Sequence, residues 1–348
     1  MEAQIKLSTG QELSRGRKSQ GYWGTVWMEF KKDRLAVGGL ILIFFLCGIA
    51  IFDDFLAGNK PIVLKWNGGI YFPVLFRHER LLNVSFEDLP SELGENDFAV
   101  FPPVGYSPTE YDLLSVLSPP SEEHLLGTDD RGRDVLSRMI HGTRISLSIG
   151  FVAVGIAVVI GIIMGALAGY YGGAVDFIIS RLFEVMMTFP VFFLILTILA
   201  FSNPSIYNIM IVIGVTGWTG VARLIRGEFL KLRKYDYVEA AVALGGRDSR
   251  IMLRHMLPNA LAPVLVAATF GIAGAILVES ALSFLGFGVP PPQPSWGEVL
   301  SQSQKYVDFA WWLVLFPGAA IFLTVTAFNL VGEGFRDAID PKLRGRKL

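Results

Sequence analysis

A single cysteine, Cys47, stands in 348 residues. That count excludes a disulfide within the chain and a cysteine-built metal centre. Histidine is scarce too: His78, His124, His141 and His255 are the whole supply, and their spacing suits no metal. Charge is thin. Asp, Glu, Lys and Arg make up 18% of the chain, against roughly a quarter in soluble domains. A net charge of −1 gives no global attraction for nucleic acid. Also missing are the G-x-x-x-x-G-K-[ST] phosphate loop, the H-E-x-x-H zinc signature and the G-x-S-x-G nucleophile turn. The expectation is a non-enzymatic chain that holds no cofactor or metal itself.

Apolar length is what the sequence has instead. Hydrophobic residues make up 52% of it. A membrane helix needs about 20 mostly apolar residues in a row. Six runs qualify: 35–52, 146–168, 183–201, 206–222, 261–284 and 311–332. Residues 177–181 could extend the third run inward. Pro190 and Pro263 fall inside or at the edge of runs, which membrane helices tolerate where neighbours satisfy the freed carbonyls. The expected fold is an all-α polytopic membrane protein with six transmembrane helices. The first run follows a charged leader and precedes no small-residue cleavage pattern, so it reads as a retained anchor.

The domains follow from these runs. Residues 1–34 form a leader, in which Tyr22, Trp23, Trp27 and Phe30 precede Lys31 and Lys32. That order suits an interfacial amphipathic helix, with an ordinary snorkelling anchor as the alternative. Residues 35–52 are the first span. Residues 53–144 are a proline-rich insertion with strand-like pieces at 62–66 and 70–75 and a helical end at 134–140. Trp66, Tyr71, Phe72 and Phe76 are its candidate core. Residues 145–332 hold the other five spans, and 333–348 a tail. Lys and Arg mark the cytoplasmic side. They gather in the leader (Arg15, Arg17, Lys18, Lys31, Lys32, Arg34), after run four (Arg223, Arg226, Lys231, Arg233, Lys234, Arg247, Arg250, Arg254) and in the tail (Arg336, Lys342, Arg344, Arg346, Lys347). Both termini are therefore expected in the cytoplasm and the insertion outside.

The loop after run four is the candidate site. Residues 236–244 read as a short helix with small Ala240, Ala241 and Ala243. Gly245 and Gly246 break it, as C-terminal glycines do. Residues 247–256 read as a second short helix that Pro258 and Asn259 end. This helical hairpin, 235–258, offers a small-residue surface with Glu239 at its rim. The plain alternative is a connector between spans.

The spacing of Glu239-Ala240-Ala241, Gly245 and Leu257-Pro258 resembles the coupling motif of binding-protein-dependent ABC importer permeases. Arg254-His255-Met256-Leu257-Pro258-Asn259 looks like their dipeptide/oligopeptide/nickel branch. LGTDDRGRDVLSR at 126–138, GYYGG at 169–173, LSFLGFG at 282–288, PSWG at 294–297 and residues 329–341 are similar to the same branch. Glu184 stands where that branch commonly has aspartate. Residues 59–73 look like the extra outer segment of the microcin C-type (Yej) peptide permease. The resemblance implies a type I ABC importer permease fold. It also implies a second permease, two ATPase subunits or a fused ATPase, a periplasmic substrate-binding protein and a bacterial inner membrane. ATP and Mg would sit on the partner ATPases. In the hairpin, Gly245 would be the turn, Ala240 and Ala241 the contact face and Glu239 an orienting charge, with Arg254, His255, Leu257 and Pro258 completing the motif.

Two further groups draw notice. Gly161, Gly165 and Gly169 repeat every four residues, which lets two membrane helices pack closely. The neighbour is a helix of this chain or of the partner permease. Glu279, with Ser280 and Ser283, is an acid in the outer part of span five, where ionisable groups are costly. It lines the substrate path, pairs with a partner cation or caps a neighbouring helix. A secondary transporter or channel is the rival class. It would need an intramembrane relay or inverted repeats, and neither is visible.

Overall fold

A computed structural model describes residues 22–340, apart from 82–83, 85, 87–88, 90–92 and 95–96. Arg15, Arg17 and Lys18 of the leader and Lys342, Arg344, Arg346 and Lys347 of the tail lie outside the described residues. Among the described residues, five helices are long and apolar enough to cross a membrane, and a bent pair makes up to six.

Helix α1, Tyr22–Phe30, and the first span α2, Arg34–Ile51, are separated where Asp33 turns out of helical geometry. Its carboxylate accepts from the backbone N–H of Leu35 at 2.9 Å and of Ala36 at 3.2 Å. This satisfies donors that a helix start leaves free. Val26 and Phe30 of α1 are buried, while Trp23 and Trp27 face outward.

The insertion folds around a three-stranded antiparallel sheet in the order β2-β1-β3, with β1 Val63–Trp66, β2 Gly69–Tyr71 and β3 Phe98–Val100. Asn67 and Gly68 both take positive φ, 49° and 74°, as a tight two-residue hairpin requires. The core is Leu64, Leu81 and Leu89, with Trp66 and Tyr71 packed around it. Phe72 and Phe76 are not part of it; they are 39% and 62% exposed.

Helix α3 runs from Val135 to Tyr171 without interruption, so the helical end expected at 134–140 and the second span are one helix. Asp134 caps it, accepting from Ser137 N at 2.7 Å. The third run is two helices, α4 Gly173–Thr188 and α5 Val191–Ala200, bent by 80°. The break falls at Phe189-Pro190. A proline holds the residue before it extended, and Phe189 has φ −91° and ψ 134°. Then come α6, Ile206–Leu232, and α7, Asp236–Ala243. A turn at Asp248–Arg250 and a π-helical turn at Ile251–Met256 lead straight into α8, Leu257–Phe284. The chain closes with α9, Trp296–Gln302, and α10, Trp312–Ile339.

Contacts between helix ends fix the crossing pattern. Phe30 stacks on Phe335 with ring centroids 4.6 Å apart, so the start of α2 and the end of α10 share one face. Asp176, at the start of α4, is held by the Arg226 guanidinium near the end of α6. Since α6 crosses, α4 and α5 together must have crossed before it. Six crossings result.

Helices α3 and α6 pack along the glycine repeat. A Cβ on Gly161 would sit 2.6 Å from Val221 Cβ, and one on Gly169 would sit 2.6 Å from Phe229 Cβ. On Gly165 it would strike the Ala222 carbonyl. Small residues let the backbones approach this closely. The glycine face is occupied by a helix of the same chain.

Candidate functional site

The hairpin 235–258 lies on the face of Phe30 and Phe335. Helix α7 ends in a paired glycine turn. Gly245 takes φ +74°, its N–H bonds Val242 O at 2.9 Å, and Gly246 N–H bonds Ala241 O at 3.1 Å. These two bonds satisfy carbonyls that a helix end leaves free, and the left-handed residue between them suits glycine. The chain reverses within four residues and re-enters helix at Asp248.

One side of the hairpin is anchored. Val238, Ile251 and Met256 are buried with Ile225, Phe229 and Leu232 of α6, and Ala241 packs onto the same cluster. The other side is bare. Glu239, Ala240, Val242, Leu244, Gly245 and Arg254 are exposed, with Leu244 at 88%. The expected contact pair is thus divided: Ala240 faces out and Ala241 faces in. His255 and Leu257 are half-buried and Pro258 is exposed.

Pro258 does not end the second arm. The helix runs through it from Asp248 to Phe284, which membrane helices tolerate where local adjustments satisfy the freed carbonyls. Its ring and missing N–H disturb the turn behind it, which widens so that Leu257 N–H bonds Met252 O. Asn259 Nδ2 donates to the His255 carbonyl at 2.8 Å. The arm and the fifth span are therefore one continuous rod.

At the opposite face the structure closes around buried charge. Arg138 is fully buried, pairing with Glu298 of α9 and lying 3.3 Å from Asp129. Arg133 Nε donates to the same Asp129 at 2.8 Å. His124 meets Asp134 at 3.0 Å. Trp296 Nε1 donates to Met139 O at 3.2 Å, and Trp312 Nε1 to Thr128 O at 2.9 Å. Asp53, just past the first span, sits against His141 and Arg144. Burial pushes its carboxyl up, but the hydrogen bond and charge of His141 and the charge of Arg144 outweigh that and hold it below the usual carboxylate range. Sequence reasoning missed this lattice. Its signal was Asp129/Arg133 and Asp134/Arg138, two pairs at helical spacing in a segment too polar to be read as buried.

Glu279 belongs to this closed region. It is fully buried, and its Oε1 accepts from Ser283 and Ser295, each at 2.7 Å. Ser295 in turn caps α9, accepting from Glu298 N at 3.0 Å. Glu279 thus braces a helix cap, and Ser280 and Ser283 are buried beside it. The structure places none of the three on an open path. An apolar cavity of about 300 Å³ lies elsewhere, between α3, α5, α6 and α8, lined among others by Ala157, Ile195, Thr216, Gly220 and Gly271. Arg181 and Glu184 are in contact on α4.

Residues 157–345 match the family described as "binding-protein-dependent transport system inner membrane component". Residues 21–67 match the "N-terminal TM domain of oligopeptide transport permease C". The chain belongs to the inner membrane components of binding-protein-dependent transport systems, in their dipeptide/oligopeptide permease family. It is 44% identical over 322 residues to the dipeptide transport system permease protein DppC of Alkalihalophilus pseudofirmus, covering 92% of this chain and 90% of that one. It is 34% identical over 328 residues to the inner membrane ABC transporter permease protein YejE of Escherichia coli, covering 90% of this chain and 96% of that one. Among solved structures, an inward-facing MetNI methionine ABC transporter chain aligns with 17% identity and a TM-score of 0.49, over 59% of this chain and 97% of that one.

Proposed function

We propose that this chain is one of two permease subunits of an ABC importer for peptides or peptide-like compounds. In this reading both termini and the hairpin face the cytoplasm, and the insertion faces outward from a bacterial inner membrane. The bare side of the hairpin docks on a partner ATPase, which binds ATP and Mg. Nucleotide-driven closure of the ATPases then moves the hairpin, and with it the fifth span. A periplasmic binding protein delivers the cargo.

One observation carries this reading. The hairpin is anchored on one side, bare on the other, and continuous with a membrane span. A mere connector has no need of an exposed Leu244 and Val242, since uncovered apolar surface marks an interface. Peptide cargo is supported by the dipeptide and oligopeptide permeases among the relatives. The microcin C-type subclass rests on residues 59–73 and the likeness to YejE. The test is peptide uptake and ATP hydrolysis by the complete transporter with Gly245→Asp or Glu239→Lys. Uncoupled hydrolysis with normal membrane insertion is expected; wild-type uptake at normal expression would refute the coupling role.

A further inference from the structure

The hairpin and the end of α3 flank a cleft of about 520 Å³, lined by Tyr170, Tyr171, Arg233, Val238, Glu239 and Asp248 among others. A hydrogen bond bridges it: Tyr170 Oη donates to Asp248 Oδ1 at 2.7 Å. Asp248 opens the second arm of the hairpin, and Tyr170 is the penultimate residue of α3. Among the described residues, the two arms also rest on the bundle through apolar contacts of Val238, Ile251 and Met256. Such contacts are non-directional. A hydrogen bond has a preferred length and angle, so it resists separation of the groups it joins.

What lies behind Tyr170 matters as much. Gly161, Gly165 and Gly169 lock α3 against α6, where any added methyl would clash. Asp176 is gripped by both Nε and Nη2 of Arg226, tying the start of α4 to α6. A pull on Tyr170 therefore reaches α3, α4 and α6 as one body, while the rod of the second arm carries α8.

We propose that Tyr170 is a positioning residue that transmits hairpin displacement to the second span through its hydrogen bond to Asp248. This rests on the hairpin being the ATPase-docking element.

The test uses the complete transporter, both permeases with ATPases and binding protein, in proteoliposomes, and reads peptide imported per ATP hydrolysed. Tyr170→Phe and Asp248→Ala are expected to lower that ratio at least about twofold, the effect of losing one hydrogen bond. Asp248→Asn keeps an acceptor oxygen and is expected to retain the wild-type ratio. Gly245→Asp is the control for the underlying reading. If it lowers the ratio while Tyr170→Phe does not, the Tyr170 proposal alone is overturned. If neither changes the ratio, the docking reading falls with it. A Tyr170→Phe transporter whose uptake and hydrolysis fall in parallel, at constant ratio, shows a structural role only and also overturns the proposal.

Discussion

Phe30 and Phe335 stack face to face at 4.6 Å, tying the start of the first span to the end of the last. The contact makes the number of crossings even, which makes the bent pair α4–α5 a full span. Sidedness can then be read with single cysteines in a Cys47→Ala background. Leu244→Cys, in the hairpin, and Leu114→Cys, in the insertion, stand at positions 88% and 99% exposed. An impermeant thiol reagent is expected to label Leu114→Cys from outside intact cells and Leu244→Cys only after the membrane is opened.

The α3–α6 seam predicts a steep size limit. Gly165→Leu would drive a side chain into the Ala222 backbone, and overpacking costs about 1–3 kcal/mol even where side chains can yield. A large fall in thermal stability in detergent is expected. Gly155, on the same helix with open space around it, should accept alanine with no measurable loss.

Arg138 predicts a loss of a different origin. Removing one partner of a buried ion pair leaves the others unpaired, at a cost of roughly 3–5 kcal/mol. Arg138→Ala is expected to strand Glu298, while Asp129 keeps Arg133, and to lower the thermal midpoint sharply. Arg144→Ala, at a half-exposed guanidinium, should lower it far less.

The two ends of the insertion meet in a parallel bridge, Ala57 beside Val104. Gly58 N–H bonds Val104 O at 2.9 Å, and Val104 N–H bonds Leu56 O at 3.1 Å, so the two strands of chain leaving the sheet are already joined. Replacing residues 60–103 with a flexible linker long enough to cross between the parallel segments is expected to preserve assembly with the partner subunits, measured by co-purification, while abolishing binding-protein-dependent uptake. Retained uptake would show that the sheet is dispensable for transport.

Much of this architecture was legible in the sequence because hydropathy reports helix length directly. The six apolar runs correspond to spans, and the hairpin with its glycine turn lies where Gly245 and Gly246 mark it. The differences have physical causes. Hydropathy treats Arg138 as a surface residue, but an arginine matched by Asp129 and Glu298 can be buried, and α3 therefore begins before its apolar stretch. Pro190 bends its span because the preceding residue must be extended, whereas Pro258 is absorbed by the wider π-helical turn before it. A lone acid in a span is expensive, and of the readings open for Glu279 its contacts match the brace on a helix cap. The hydroxyls of Ser283 and Ser295 make it affordable inside the protein, and nothing in one linear segment shows that Ser295 folds back to it. The three residues of β3 carry too little pattern to mark a strand, and leucines rather than Phe72 and Phe76 fill the core of the insertion.

The most direct measurement is photo-crosslinking from position 240 in the assembled transporter. Ala240 lies on the bare side of the hairpin, clear of its apolar anchor. A photoreactive amino acid there is expected to join the ATPase subunit, with a yield that changes when ATP is bound. Adducts to the binding protein, or none to the ATPase in a complex that still imports peptide, would contradict the account.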